Sequence, residues 1–205
     1  FQNGFANISI PSVLATLVSD ELSFPNLSMV GVDDRAAAYT AVNHLIQQGH
    51  SKIAVLGGPA TSYPSMMRRQ GAQQAMEDAG IQFNDKLYGL SNYDFESAYH
   101  AMNSLLARRA EFTALFAMSD VIAFGAIRAL VSAGMRVPED VSVIGFDGIT
   151  MSRYCVPVLT TIIQPSEQIA LQSIELLVRQ IEHGAPAQTI TLQPELQQGE
   201  SVRSI

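Results

Sequence analysis

Apolar residues along this chain follow two periods. Short continuous runs alternate with longer stretches in which they recur every third or fourth position, which marks buried strands and amphipathic helices respectively. Residues 28–32 form the first run, ending at Asp33 and Asp34. A helical pattern covers 36–48, with Ala38, Val42, Leu45 and Ile46 on one face and Gly49 stopping it. Residues 52–56 read as a buried strand closed by Gly57 and Gly58, 59–64 as a loop, and 66–79 as a helix ended by Gly80. A weaker strand is predicted at 86–90, then a helix from Asp94, its N-cap, to Arg108. Residues 113–118 read as a strand, 120–133 as a helix ended by Gly134, and 141–146 as a strand. After a polar loop, 159–163 read as a strand, and Pro165 opens a long helix to His183 that Gly184 closes. The last run is 190–192.

Strands alternating with helices predict parallel βαβ units, hence an α/β fold of doubly wound parallel sheets. The near-continuous apolar character of the strands agrees, because a parallel sheet is covered on both faces.

Composition sharpens this picture. Of 205 residues, 47% are hydrophobic and 15% charged. An average chain has about a quarter charged residues, so this one is rich in core and is not disordered. No apolar run reaches the roughly 18 residues of a membrane span. The one cysteine, Cys155, excludes a disulfide framework within the chain and an all-cysteine metal site. A net charge of −7 argues against this stretch itself holding nucleic acid.

In a doubly wound sheet, ligands bind beyond the C-terminal ends of the strands. Leu56 leads through Gly57 and Gly58 to Arg68, and Leu90 leads to Tyr93. Met118 leads to Ser119 and Asp120, and Phe146 leads to Asp147. An arginine, an aromatic ring, a hydroxyl and a carboxylate suit a polyhydroxylated ligand. Each has a plainer reading. Asp120 reads as a helix N-cap, Asp147 as a turn residue, Tyr93 as packing, and Arg69 competes with Arg68 for the inward position. Catalytic signatures are missing: there is no dinucleotide or phosphate loop, no nucleophile elbow, and His44, His50, His100 and His183 lack metal spacing. His50 reads as a helix-end cap and Cys155 as a buried, inert thiol. No cofactor, metal or enzymatic activity is expected.

Five segments, in order, then carry a resemblance. Residues 49–58 read Gly-His-Ser-Lys-Ile-Ala-Val-Leu-Gly-Gly, and 68–71 read Arg-Arg-Gln-Gly. Residues 119–126 read Ser-Asp-Val-Ile-Ala-Phe-Gly-Ala, and 137–147 read Val-Pro-Glu-Asp-Val-Ser-Val-Ile-Gly-Phe-Asp. Residues 157–165 read Pro-Val-Leu-Thr-Thr-Ile-Ile-Gln-Pro. This series resembles the effector-binding domain of the lactose-repressor (LacI/GalR) family of transcriptional regulators. The resemblance implies a two-lobed, periplasmic-binding-protein-like (type I) fold. It implies an effector between the lobes (a sugar, phosphosugar or nucleoside), a cytoplasmic homodimer, and operator DNA held through a helix-turn-helix that this stretch lacks. By motif position it makes Arg68, Asp147, Ser119 and Tyr93 the ligand-binding residues. It places residues 1–57 and 161–192 in an N-terminal lobe, expected to be incomplete, and 58–160 and 193–205 in a C-terminal lobe. Phe1 to Ile8 faintly resembles the start of that family's first lobe helix. Gly148 and Pro64 depart from the family pattern where polar groups are common. A periplasmic sugar-binding protein of a transport system is the alternative.

Overall fold

The computed structural model describes residues 9–205; the stretch 1–8, and with it the helix start read there, lies outside the described residues. The elements are β1 (Ser12–Ala15), β2 (Leu27–Val32), α1 (Asp34–Gln47), β3 (Ile53–Gly57), α2 (Tyr63–Asp78), β4 (Tyr88–Leu90), α3 (Phe95–Ala107), β5 (Ala114–Ala117), α4 (Asp120–Ser132), β6 (Ser142–Asp147), β7 (Thr160–Ile163), α5 (Ser166–His183), β8 (Thr189–Leu192) and β9 (Glu195–Gln197). They form an α/β fold with two sheets in two compact units.

The smaller unit comprises the described residues through Asp34 together with Gln164–Pro194. Its three strands, in the order β1-β2-β8, are all parallel. Val30, Ile169 and Leu176 form its buried centre, with Val13, Ile190 and Leu192 packed around them. Of the apolar side chains on α5, Ile169 and Leu176 turn to the sheet, while Leu171, Ile174, Val178 and Ile181 are exposed. Gly184 closes the helix in the left-handed conformation, and Pro165 occupies the cap position just before its first turn.

The larger unit, Arg35–Ile163 and Glu195–Ile205, holds a six-stranded sheet in the order β4-β3-β5-β6-β7-β9. All but β9 run parallel. Strands β3, β5 and β6 are almost wholly buried, which is why they read as unbroken apolar runs. The right-handed crossover rule sends α2 to one face and α3 and α4 to the other. Glycine sets the helix spacing. A Cβ on Gly125 of α4 would lie 2.5 Å from the Phe95 carbonyl oxygen of α3, and one on Gly71 of α2 would lie 2.0 Å from that of Arg35 on α1.

The unit boundary near the start differs from the motif-based expectation. It falls at Asp34/Arg35, and β3, which pairs with β4 and β5, lies in the larger unit. The later changes of unit come at 163/164 and 194/195. Helix α2 starts three residues before its apolar pattern does, because Ser62 caps it by accepting from the Ser65 N–H and Pro64 fits its first turn. His50 caps the end of α1 through its backbone, its N–H donating to the Leu45 carbonyl at 3.1 Å after the left-handed Gly49. Its buried ring bonds the hydroxyls of Thr113 (2.9 Å) and Ser142 (3.0 Å) and the Arg203 carbonyl (3.1 Å), tying strand beginnings to the C-terminal segment.

Candidate functional site

The strand order reverses between β3 and β5, since the chain goes from β3 outward to β4 and then back across to β5. Crevices at such reversals, beyond the carboxyl ends of the strands, are the standard ligand positions of open α/β sheets. In the larger unit this edge carries all four residues singled out from sequence.

Arg68 projects inward from α2 and is 5% exposed. Its guanidinium donates to the Met118 carbonyl oxygen at the end of β5 (2.5 Å), lies 3.7 Å from the centroid of the Phe146 ring, and stands 3.6 Å from an Asp147 carboxylate oxygen. A buried guanidinium needs such company, because an uncompensated charge is costly to desolvate. Arg69, the competitor, turns outward. It lies over the rings of Tyr88 and Phe83 and pairs with Asp85 at 3.2 Å.

Asp147 ends β6, and its side chain keeps 28% exposure. Its φ of 112° lies in the left-handed half of the map, and Gly148 follows at 70°. A non-glycine residue held there costs on the order of 1–3 kcal/mol, and such strain concentrates at functional positions. Gly148 is there for space as well as for conformation: a Cβ would stand 2.7 Å from the Ile163 Cα.

Tyr93 also has a positive φ, 61°. Its ring lies so close over Gly58 that a Cβ there would be 2.1 Å from it. The hydroxyl is enclosed and has no hydrogen-bond partner among the described residues. Ser119 is buried and caps α4, accepting from the Ile122 N–H at 3.1 Å. It therefore takes the cap role that the sequence pattern gives to Asp120.

Asp120 is the group that sequence reasoning undervalued. It is fully buried in the first turn of α4. One carboxylate oxygen accepts from the Thr161 hydroxyl (2.5 Å) and the other from the Ile149 N–H (2.8 Å). Burial pushes its pKa up to about 6, against the pull of those hydrogen bonds, and the nearby Asp147 charge adds to the rise. Phe146 and the Met118 carbonyl were missed too, hinted at only by their positions at strand ends, and so was Thr161, which lies inside β7. Cys155 is half-buried, and burial raises its thiol pKa.

A hollow of about 360 Å³ lies at the other edge of the sheet, between Lys52, Met76, Ile81, Leu87 and Glu111. Its two charged residues pair with each other. Ligand-binding loops of a parallel sheet do not gather on that edge. Among the described residues no cluster of His, Cys, Asp or Glu has the make-up of a metal site, and no helix is long and apolar enough to cross a membrane.

The larger unit's topology accords with a family comparison. Residues 42–202 match the model of the periplasmic binding protein-like domain. The chain belongs to that family. As a periplasmic-binding-protein-like domain it has regulators for relatives. The HTH-type transcriptional repressor CytR of Escherichia coli K12 is 38% identical over 172 residues, 84% of this chain and 50% of CytR. A solved complex of the transcriptional regulator CelR with cellobiose superposes with a TM-score of 0.83 at 32% identity, covering 88% of this chain and 56% of that one. A sugar-binding regulator of the LacI family from E. coli, complexed with phosphate, gives a TM-score of 0.79 at 32% identity, covering 91% of this chain and 71% of that one. The motif resemblance to the lactose-repressor family is thus matched by relatives that are transcriptional repressors and by LacI-family structures. The chain spans about half the length of CytR.

Proposed function

We propose that this chain is the effector-sensing part of a cytoplasmic, DNA-binding transcriptional repressor. The observation that carries the reading is the convergence of Arg68 and Asp147 at the strand-order reversal, 3.6 Å apart over the buried Phe146 ring. A guanidinium offers five N–H donors in a fixed fork, and a carboxylate offers only acceptors. Together they complement neighbouring hydroxyls, each of which both donates and accepts. The effector class is therefore a sugar, phosphosugar or nucleoside, in keeping with the cellobiose in CelR. Ser119 and Tyr93 complete the expected contact set.

Effector binding acts by differential affinity. Whichever arrangement of the repressor holds the effector more tightly gains population, and operator affinity changes by the same coupling free energy. Operator contact belongs to a helix-turn-helix outside these residues, consistent with the acidic balance of the sensor. The transport reading is disfavoured because the relatives are repressors. A homodimer is the proposed assembly, supported by the exposed apolar side chains Met151, Tyr154 and Val156 on the larger unit. Light scattering at 100 μM tests it, and a monomer there would refute it for this chain.

The binding test is a thermal-shift and calorimetry panel of ribose, cellobiose, glucose 6-phosphate, cytidine and adenosine. A charge-assisted hydrogen bond contributes about 1.5–3 kcal/mol, so Arg68→Ala and Asp147→Ala are each expected to weaken the binding compound by at least about tenfold. Wild-type affinity in both variants would refute the site.

A further inference from the structure

We infer that Asp120 is a positioning residue, which fixes the turn Asp147–Gly148–Ile149 and thereby aims the Asp147 carboxylate at Arg68. The inference rests on the reading of Asp147 as a ligand contact but stands on different observations. Asp120 sits at the start of α4, and each side of its carboxylate is bound to a different segment. Thr161 of β7 donates to one oxygen at 2.5 Å, and the N–H of Ile149, two residues beyond Asp147, donates to the other at 2.8 Å. Space for the carboxylate is made by Gly145, where a Cβ would meet an Asp120 oxygen at 2.4 Å. Gly145 and Thr161 are register partners in the β6–β7 ladder, so the sheet itself sets the cradle.

The turn needs such a clamp. Asp147 and Gly148 both have positive φ, and a non-glycine residue leaves that region unless its surroundings hold it. Ser119 already serves as the cap of α4, so Asp120 is not required for that. A buried carboxylate spending its acceptors on a turn at the strand ends, beside a like charge on that turn, is costly for a residue with no role beyond helix starting. The titratable groups facing Asp120 are Asp147 from the end of β6 and Cys155 from the following loop, with Arg68 next to Asp147. Its own carboxyl titrates at about 6, so both charge states of the clamp are accessible near neutral pH.

Nuclear magnetic resonance on the ligand-free protein tests this separately from any effector. In Asp120→Ala, exchange of the Ile149 amide at pH 7 is expected to accelerate at least tenfold and the Asp147 carboxyl carbon resonance to move, with β5 core amides unchanged. Asp120→Asn is expected to restore both, because its amide oxygen accepts from Ile149 and its NH₂ donates to Thr161. The wild-type Ile149 amide should also titrate with a midpoint near 6, and this step should vanish in Asp120→Asn. Should Asp120→Ala fail to fold, Thr161→Val keeps the carboxylate while removing one support, and it should still accelerate Ile149 exchange. Wild-type exchange and an unmoved Asp147 resonance in the folded variant would overturn the inference. Loss of the clamp together with unchanged effector affinity in Asp147→Ala would instead overturn the ligand reading alone.

Discussion

Replacing Asp120 by Asn changes how stability depends on pH, with a sign opposite to that of most carboxylates. The ordinary carboxyl value is 3.8, and burial raises this one to about 6. A raised pKa means that the folded chain binds a proton more readily than the unfolded chain. The resulting stabilisation is complete below the unfolded value and is lost as pH rises through the folded one. A difference of roughly two units corresponds to about 3 kcal/mol over the full window. Evaluated at pH 5, where the folded group is mostly protonated and the unfolded one is not, the contribution is about 1.4 kcal/mol, and by pH 7.5 it is close to zero. Urea unfolding at these two pH values measures it. The chain has no tryptophan, so far-UV circular dichroism is the natural probe. Titrations away from Asp120 and its coupled neighbours Asp147 and Cys155 are shared by wild type and variant, so the variant's advantage should grow by about 1.4 kcal/mol between pH 5 and 7.5. No growth, or growth toward acid, would refute the account of a buried carboxylate ionised against desolvation.

Two further perturbations probe the same unit. Gly58→Ala forces a methyl into the Tyr93 ring, so a loss of about 1–3 kcal/mol is expected in the same urea assay; a neutral result would show that the ring moves freely. His50 has its pKa lowered by burial, so its stabilisation is present above the ordinary value of 6.5 and is lost as pH falls through the depressed folded value. The stability of wild type should therefore fall more steeply than that of His50→Gln as pH drops below 6.5, opposite in direction to the Asp120 effect, and equal slopes would contradict it.

Much of the larger unit was legible because parallel strands bury both faces. Residues 52–56 and 141–146 stood out as apolar runs, and the structure sets strands at Ile53–Gly57 and Ser142–Asp147. Strand β9 was missed because Glu195–Gln197 is a short edge strand paired on one side only, with no apolar run. Strand β1, the four residues Ser12–Ala15, is likewise paired only to β2. The start of α2 was misplaced because a cap and a proline, not an apolar period, define it.

The candidate site divides along the same line. Local pattern sufficed to place Arg68, Tyr93, Ser119 and Asp147 after strand ends, because a strand's carboxyl end and a helix's first turn are both marked in sequence. It could not choose between Arg68 and Arg69, since two adjacent helix positions differ only in which face the packed sheet receives. Nor could it give Asp120 its partners, because Ile149 and Thr161 are distant in sequence and reach it only through the β5-β6-β7 order. The sequence alone determined the alternation of elements and the kind of chemistry at each strand end. Tertiary structure decided which of those groups face one another, because burial, register and the missing Cβ of Gly145 and Gly58 are properties of packed neighbours and not of any one segment.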